Sequence, residues 1–394
     1  MESIKDKVAV VGMGCTQFGE LWTKSPEDLI VEACQEAFED AGLTAADIQA
    51  AWFASLVSGC TGSRLAAALK LDYVPVTRVE NFCCGGLDAF RNACYGVASG
   101  AFDLVLAVGV EKLKDHSGGF GQFITAPLDS SRVEVDLPPV NFFAQFATRY
   151  FHRYGIPLEE GKRLLAKIAV KNHRHGKLSP KAHLRREITE EQALNSPIIS
   201  YPLGLFDCCG LSDGAAAAIL TRPEIAREMT DDFILVKGLG LANGSGQGLL
   251  KTDYDFTSMP ENVRCARMAY DQAGVKDPRR EIDLAVVHDC FTIHELILYE
   301  DLGFSPRGKA RDDIEAGTFT LEGRLPVNTD GGLKCFGHPL SASGLRMTYE
   351  VYNQLLGRAG PRQVKDARLG MAHNLGGLPT YFNCAVGIFG REAG

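Results

Sequence analysis

The chain is poor in the features that would place it on a membrane or on nucleic acid. Its longest apolar runs, such as Leu104–Val110, fall far short of the roughly 20 residues that a membrane-spanning helix needs. Positive charge is not in excess: 41 Lys and Arg stand against 49 Asp and Glu, a net charge of −8. That balance argues against a nucleic-acid binder and against a polybasic membrane anchor. No C-x-x-C pair occurs among the 12 cysteines, and the doublets Cys83-Cys84 and Cys208-Cys209 have the wrong spacing for a zinc site. No metal or prosthetic group is therefore expected. Residues 1–20 carry Glu2, Lys5, Asp6 and Lys7 and lead straight into a strand pattern, which does not read as a signal peptide. Free thiols in a reducing, cytoplasmic setting are the expectation.

What is present is ordinary for a globular protein: 45% hydrophobic and 23% charged residues. At 394 residues the chain is too long for one ordinary core, so two domains or one duplicated domain are expected. Strand-like and helix-like segments alternate, the pattern of an α/β fold with a largely buried sheet. Val8–Gly12 is a short apolar run. Pro26–Ala41 follows as a helix, with Leu29, Ile30, Ala33, Cys34, Ala37, Phe38 and Ala41 on one face, Ser25 as N-cap and Gly42 as terminator. Ile48–Phe53 and Leu104–Val110 read as further strands.

The second half repeats this plan. Glu39-Asp40-Ala41-Gly42-Leu43 followed by Ile48–Phe53 resembles Asp271-Gln272-Ala273-Gly274-Val275 followed by Ile282–Val287. Ser343–Leu356 reads as a helix and Arg368–Met371 as the strand after it, matching the helix and strand downstream of Cys83. Duplicated βαβαβ-type units explain this better than two unrelated domains. Residues 1–114 with 203–230 form the expected first half, 231–394 the second, and 115–202 an insertion without clean alternation. Basic residues recur through that insertion from Lys162 to Arg186, read either as a solvated helix face or as a collar for an anionic group.

The most informative stretch is Val79-Glu80-Asn81-Phe82-Cys83-Cys84-Gly85-Gly86, between a short β-like run (Tyr73 to Val79) and a helix-like run reaching about Ser99. A cysteine at such a junction meets unpaired backbone N–H groups and the positive end of the helix dipole. Both favour thiolate, the nucleophilic form. Buried structural cysteines are the competing reading. Three further clusters stand at expected strand ends: His288-Asp289-Cys290-Phe291, Gly337-His338-Pro339 and His373-Asn374-Leu375-Gly376-Gly377. Open α/β sheets bind ligands at the carboxyl ends of their strands, so the four clusters are expected to converge on one cleft.

With the duplicated halves, Cys-x-x-Gly at 83–86 and Gly-His-Pro at 337–339 followed by Ser343-Gly344 resemble the thiolase superfamily over nearly the whole chain. His288-Asp289-Cys290-Phe291, His373-Asn374-x-Gly376, Asn172-His173-x-His175 and the run Asp207–Gly214 resemble the sterol-carrier-type thiolases and their bacterial and archaeal relatives. Other thiolases carry Asn-Glu-Ala-Phe and Cys-x-Gly at the second and fourth clusters. The resemblance implies a thiolase fold, five layers α-β-α-β-α with a loop-domain insertion. It implies an acyl-CoA:acetyl-CoA C-acyltransferase that cleaves or forms a 3-ketoacyl-CoA, with coenzyme A as substrate.

Cys83 is then the implied nucleophile and acyl carrier, and His338 the group that takes its proton and stabilises the ion pair. His288 and His338 are the implied donors to the thioester oxygen. Cys290 is the acid/base replacing the cysteine that other thiolases carry where Asn374 stands. The backbone N–H groups of Cys83 and Gly376 are the implied second oxyanion hole. His373 and Asn374 read as scaffold, and Cys335 as packing. Gly85 stands where relatives often have Ser or Thr. Phe82, Phe142, Phe143 and Phe146 read as core packing or as a pocket for a bulky or aromatic acyl group. A homodimer is implied, and some members of the branch work beside a small acyl-CoA-binding subunit with an OB fold and zinc ribbon. A retro-aldolase, a decarboxylating condensing enzyme and a scaffold subunit for an acyl-CoA-binding partner are the alternative readings.

Overall fold

A computed structural model describes residues 3–115, 138–246 and 254–394. The strands, in chain order, are β1 (Ala9–Cys15), β2 (Ala50–Ala54), β3 (Val76–Val79), β4 (Leu104–Glu111), a small hairpin β5 (Ile198–Ser200) and β6 (Leu203–Gly204), β7 (Gly214–Thr221), β8 (Ile234–Asn243), β9 (Leu284–Val286), β10 (Leu369–Leu378) and β11 (Tyr381–Gly390). The longer helices are α1 (Pro26–Ala41), α2 (Gly85–Ala98), α3 (Pro139–Arg153), α4 (Leu158–Leu178), α5 (Pro260–Ala273), α6 (Thr292–Asp301) and α7 (Leu340–Leu355).

Among the described residues, nine strands form one mixed sheet in the order β3-β2-β4-β7-β1-β8-β11-β10-β9. Its two sides mirror each other about the short β1–β8 pairing, where Ala9 meets Leu235 and Val10 meets Ile234. On one side β2 pairs parallel with β3 and β4, and β7 runs antiparallel between β4 and β1. On the other, β9 and β10 pair parallel, and β11 runs antiparallel between β10 and β8. A single parallel bridge from Ala285 to Val327 stands where the mirror of β3 belongs.

Helices α2 and α7 pack on each other between the two sides of the sheet: α7 lies on β4, β7 and β10, and α2 on β2, β4 and β11. Helices α1 and α5 cover the outer faces, α1 on β1 and β7 and α5 on β8 and β11. The layering is α-β-α-β-α, the thiolase fold that the resemblance implies.

Helix α1 forms as its sequence dictates. Ser25 and Asp28 make a reciprocal capping box, and all seven apolar residues named for it are buried. It ends on Gly42 at φ 67°, as α5 ends on Gly274 at φ 84°. The central layer depends on close backbone approach. A Cβ on Gly86 or on Gly109 would lie 2.2 Å from the carbonyl oxygen of Ser341, and one on Gly344 would lie 2.5 Å from the amide nitrogen of Leu87. Only glycine lets α2, β4 and α7 meet this closely.

Two expectations need correction. The insertion is more regular than its sequence suggests, since α3 and α4 occupy much of it; residues 116–137 of the insertion lie outside the described residues. The strand expected to stop at Met371 runs on to Leu378, so His373, Asn374 and Gly376 are strand residues paired with Val386, Ala385 and Asn383 of β11. Among the described residues, no helix is long and apolar enough to cross a membrane.

Candidate active site

The four clusters meet at one cavity of about 220 Å³, lined by Cys83, Cys209, His288, Cys290, His338 and Gly376 together with Leu56, Phe82, Phe143, Phe291, Leu340 and Phe382. The Sγ of Cys83 and one ring nitrogen each of His288 and His338 all lie within 4.8 Å of one another. The sequence expectation that these residues share a cleft is met in the geometry.

Each half of the molecule supplies part of the site. Cys83 follows β3 and stands just outside α2, whose first residue is Gly85; Cys84 is the N-cap and points into the core, fully buried. Phe82, one residue earlier, adopts φ 54°, a left-handed conformation that is costly for a bulky side chain. It is over-determined from the other half: a Cβ on Gly376 would lie 2.7 Å from the Cys83 amide nitrogen and 2.8 Å from the Asn81 carbonyl oxygen. Gly376 of β10 therefore abuts the backbone of the loop that carries Cys83 directly.

The two imidazoles are held in opposite tautomers. His288 Nδ1 takes the backbone N–H of Leu375 at 3.3 Å and the Asn374 side-chain amide at 2.9 Å. Since Nδ1 accepts, Nε2 of His288 carries the proton and is a donor. His338 Nδ1 lies 2.7 Å from Ser343 Oγ, and that hydroxyl donates to the Pro339 carbonyl at 3.3 Å. The hydroxyl oxygen is thus free to accept Nδ1–H from His338, which leaves Nε2 of His338 as a bare lone pair. The rings stand edge to face with centroids 5.1 Å apart.

The thiolate expected at Cys83 is opposed by its surroundings. Burial pushes the Cys83 thiol up to about 12; its own backbone N–H pulls the other way, and the carboxylates of Glu80 and Glu111 add to the rise. Burial, with the Arg346 guanidinium nearby, lowers His338 to about 3. Burial, then the neighbouring imidazoles, holds His288 well below the ordinary histidine range. Cys290 is held well above the ordinary thiol range by burial, with Cys209 and Cys83 adding. An apolar pocket penalises ions and a helix end rewards a thiolate; here burial, which favours a neutral thiol and neutral imidazoles, is the larger influence.

The remaining motif residues hold the frame. Asp289 accepts the backbone N–H groups of Leu333 and Lys334 at 2.6 and 3.2 Å and the Asn172 amide at 2.8 Å, tying the Gly-His-Pro loop to α4. Burial, then Glu295, raises its pKa. His175 donates Nδ1–H to the Asn328 carbonyl and accepts the Leu321 N–H at Nε2. His373 faces Asn262, and Cys335 packs in the core. In the basic series, Lys167, Lys171, Arg174, Lys177 and Lys181 pair with Glu315, Glu295, Glu322, Glu187 and Glu36. Most of that positive charge is neutralised within the fold, which favours the solvated-face reading. Cys83, His288 and His338 are metal-ligand types in reach of one another, and so are His288, Cys290 and His294.

Sequence reasoning overlooked Cys209, whose N–H binds the Cys290 carbonyl at 2.9 Å, as well as the roles of Ser343 and Asn374 in orienting the two rings. Ser343, five residues after His338, was legible as a polar residue in the first turn of a helix; Cys209 gave no signal of its own beyond its doublet and its place in the run Asp207–Gly214.

A mirrored five-layer fold with a thiol and two imidazoles at the meeting of its halves defines a class: an enzyme built on duplicated α/β halves. Residues 8–224 match the thiolase N-terminal domain and residues 242–391 match the thiolase C-terminal domain-like family. The chain belongs to the thiolase family and is an acyltransferase of that type. It is 40% identical to the acetyl-CoA acetyltransferase of Methanothermobacter thermautotrophicus, over 98% of this chain and 99% of that protein. It is 33% identical to sterol carrier protein 2 of Gallus gallus, over 94% of this chain and 70% of that protein, which places it near the sterol-carrier-type branch. Among solved structures, the Ltp2-ChsH2(DUF35) aldolase aligns with a TM-score of 0.83 at 26% identity, over 98% of both chains. Human mitochondrial 3-ketoacyl-CoA thiolase shares the fold, with a TM-score of 0.72 at 17% identity over 98% of both chains.

Proposed function

We infer that the protein is an acyl-CoA:acetyl-CoA C-acyltransferase that works through an acyl-Cys83 intermediate. The observation that carries this reading is that Cys83 Sγ meets two imidazoles whose Nδ1 atoms face different partners, a backbone N–H donor for His288 and a serine hydroxyl for His338. His338 Nε2 takes the Cys83 proton as Sγ attacks the C3 ketone of a 3-ketoacyl-CoA. The backbone N–H groups of Cys83 and Gly376 receive the oxyanion. The C2–C3 bond then breaks, and its electron pair moves into the enolate of acetyl-CoA. His288 Nε2–H and the protonated His338 donate to the enolate oxygen, and Cys290 S–H protonates C2. Incoming coenzyme A gives its thiol proton to the Cys290 thiolate and attacks acyl-Cys83. The departing Cys83 sulfur recovers its proton from His338. Atoms and charges balance, and the reverse sequence is a Claisen condensation.

The acyl pocket is apolar and aromatic: Phe143 stacks on Phe291 at 4.6 Å and tilts against Phe382 at 6.4 Å. This favours a bulky or aromatic acyl group over acetyl. A homodimer and a small partner subunit belong to the same reading; the composite aldolase among the similar structures supports the second.

Intact-protein mass spectrometry tests the assignment. Incubation with a panel of 3-ketoacyl-CoAs is expected to add one acyl group to the wild type and none to Cys83→Ala; acylated Cys83→Ala would refute it. The likeness to an aldolase favours a second reading, retro-aldol cleavage. That reaction releases an aldehyde or ketone without consuming coenzyme A and needs no acyl-cysteine, so thiol titration during turnover separates the two.

A further inference from the structure

Behind Cys290 stands an imidazole that the proposed reaction does not use. Cys290 sits two residues ahead of α6, and His294, four positions on, lies in the first turn of that helix on the same side. Cys290 Sγ and His294 Nδ1 are 3.8 Å apart. His294 is fully buried, and its Nε2 has no hydrogen-bond partner. Its surroundings are rings: Phe143 at 5.2 Å, His288 at 5.5 Å and His373 at 6.2 Å between centroids. The nearest atoms of His288, Cys290 and His294 lie within 4.8 Å of one another.

The unpartnered nitrogen fixes the tautomer. A proton on Nε2 would leave a buried N–H donor without an acceptor, which is a costly arrangement. A proton on Nδ1 leaves only a bare lone pair among aromatic rings and aims the N–H at sulfur. The Cys290 sulfur then accepts from His294, and its own S–H is left to face the cavity. When Cys290 gives up that proton, the N–H···S contact becomes a charge-assisted hydrogen bond, stronger than the neutral one.

We propose that His294 is a positioning residue, donating Nδ1–H to Cys290 so that the thiolate left after protonation of the acetyl-CoA enolate is stabilised in an otherwise apolar pocket. The inference rests on Cys290 being the acid/base. In the exchange step the C2–H bond of acetyl-CoA breaks, its electrons stay on the enolate, and the proton joins the Cys290 thiolate; His294 keeps its own proton throughout.

Hydrogen–deuterium exchange at the acetyl-CoA methyl group, followed in D2O, tests this directly. Asparagine carries an amide N–H near the place of Nδ1, whereas glutamine carries it further out. His294→Gln is expected to slow exchange about 10- to 100-fold, the span for a hydrogen bond to a charged group. His294→Asn should stay within about threefold of wild type, and the affinity for acetyl-CoA, read by equilibrium binding, should be unchanged in both. Equal losses in the two variants, an unaffected His294→Gln, or a parallel loss of acetyl-CoA affinity would each overturn the proposal. Cys290→Ala run alongside distinguishes the levels: exchange surviving in that variant removes the acid/base reading itself. Exchange lost there but untouched in His294→Gln removes His294 alone.

Discussion

Replacing Ser343 by alanine isolates the tautomer argument. The hydroxyl holds Nδ1 of His338 at 2.7 Å, inside the first turn of α7, where serine is fully buried. Alanine removes one oxygen, adds nothing to a crowded place and is the better helix former, so the fold is not weakened on that account. What changes is the ring. Without an acceptor at Nδ1, a proton there becomes a buried unpaired donor, at a cost of about 1–3 kcal/mol. The ring then favours the tautomer that protonates Nε2, the atom that must receive the Cys83 proton. At about 1.4 kcal/mol per tenfold, the acylation rate should fall about 5- to 150-fold. Rapid-quench mass spectrometry of the acyl-Cys83 burst reads this rate without interference from product release. Binding of the 3-ketoacyl-CoA should be little altered, since the hydroxyl faces the ring and not the cavity. A burst within twofold of wild type would show that Ser343 does not set the proton position, and the opposite-tautomer argument would fail with it.

Gly376→Ala places a methyl group 2.7 Å from the Cys83 amide; turnover should drop by roughly 10²–10³, as for loss of an oxyanion donor, and steady-state kinetics check it. Phe143→Ala removes a ring stacked on Phe291 and should shift preference toward larger acyl groups in competition assays, at a stability cost of about 3 kcal/mol by chemical denaturation. Burial depresses His338, His175 and His373 to about 3 from 6.5, so between those values the unfolded chain binds protons that the folded chain does not. Stability should therefore be fullest above pH 6.5 and fall as the pH drops toward 3, by about 1.4 kcal/mol per pH unit for each such histidine; denaturant titrations showing no loss between pH 6.5 and 5 would contradict this. Over the same range the acylation rate should show no histidine-like acid limb near 6.5, because His338 stays unprotonated; a limb there in single-turnover profiles would mean the ring is solvated.

The outline of the molecule was readable because its signals are local. Helix α1 carries its start in Ser25, its stop in Gly42 and its buried face in a 3.6-residue period, and all three appear in the fold. That Cys83, His288, Cys290 and His338 share one cavity was readable because they stand at junctions between elements. The length of β10 was not: Asn374, Gly376 and Gly377 argue for a strand end by propensity, but pairing with β11 and the need to place glycine against Cys83 override it. The protonation of Cys83 was not readable either. A helix end is visible in a sequence, whereas the depth of an apolar pocket is a property of residues gathered from 56 to 382.

The glycine contacts between the two central helices have a consequence for how such a molecule can change. Because main chain meets main chain at Gly86 and at Gly344, exchanging a side chain elsewhere cannot widen or narrow those two contacts without moving a whole helix. The cavity floor is thus gauged at these points by peptide thickness, and its shape is left to be tuned by the side chains that line it, such as Phe82, Phe143, Phe291 and Phe382.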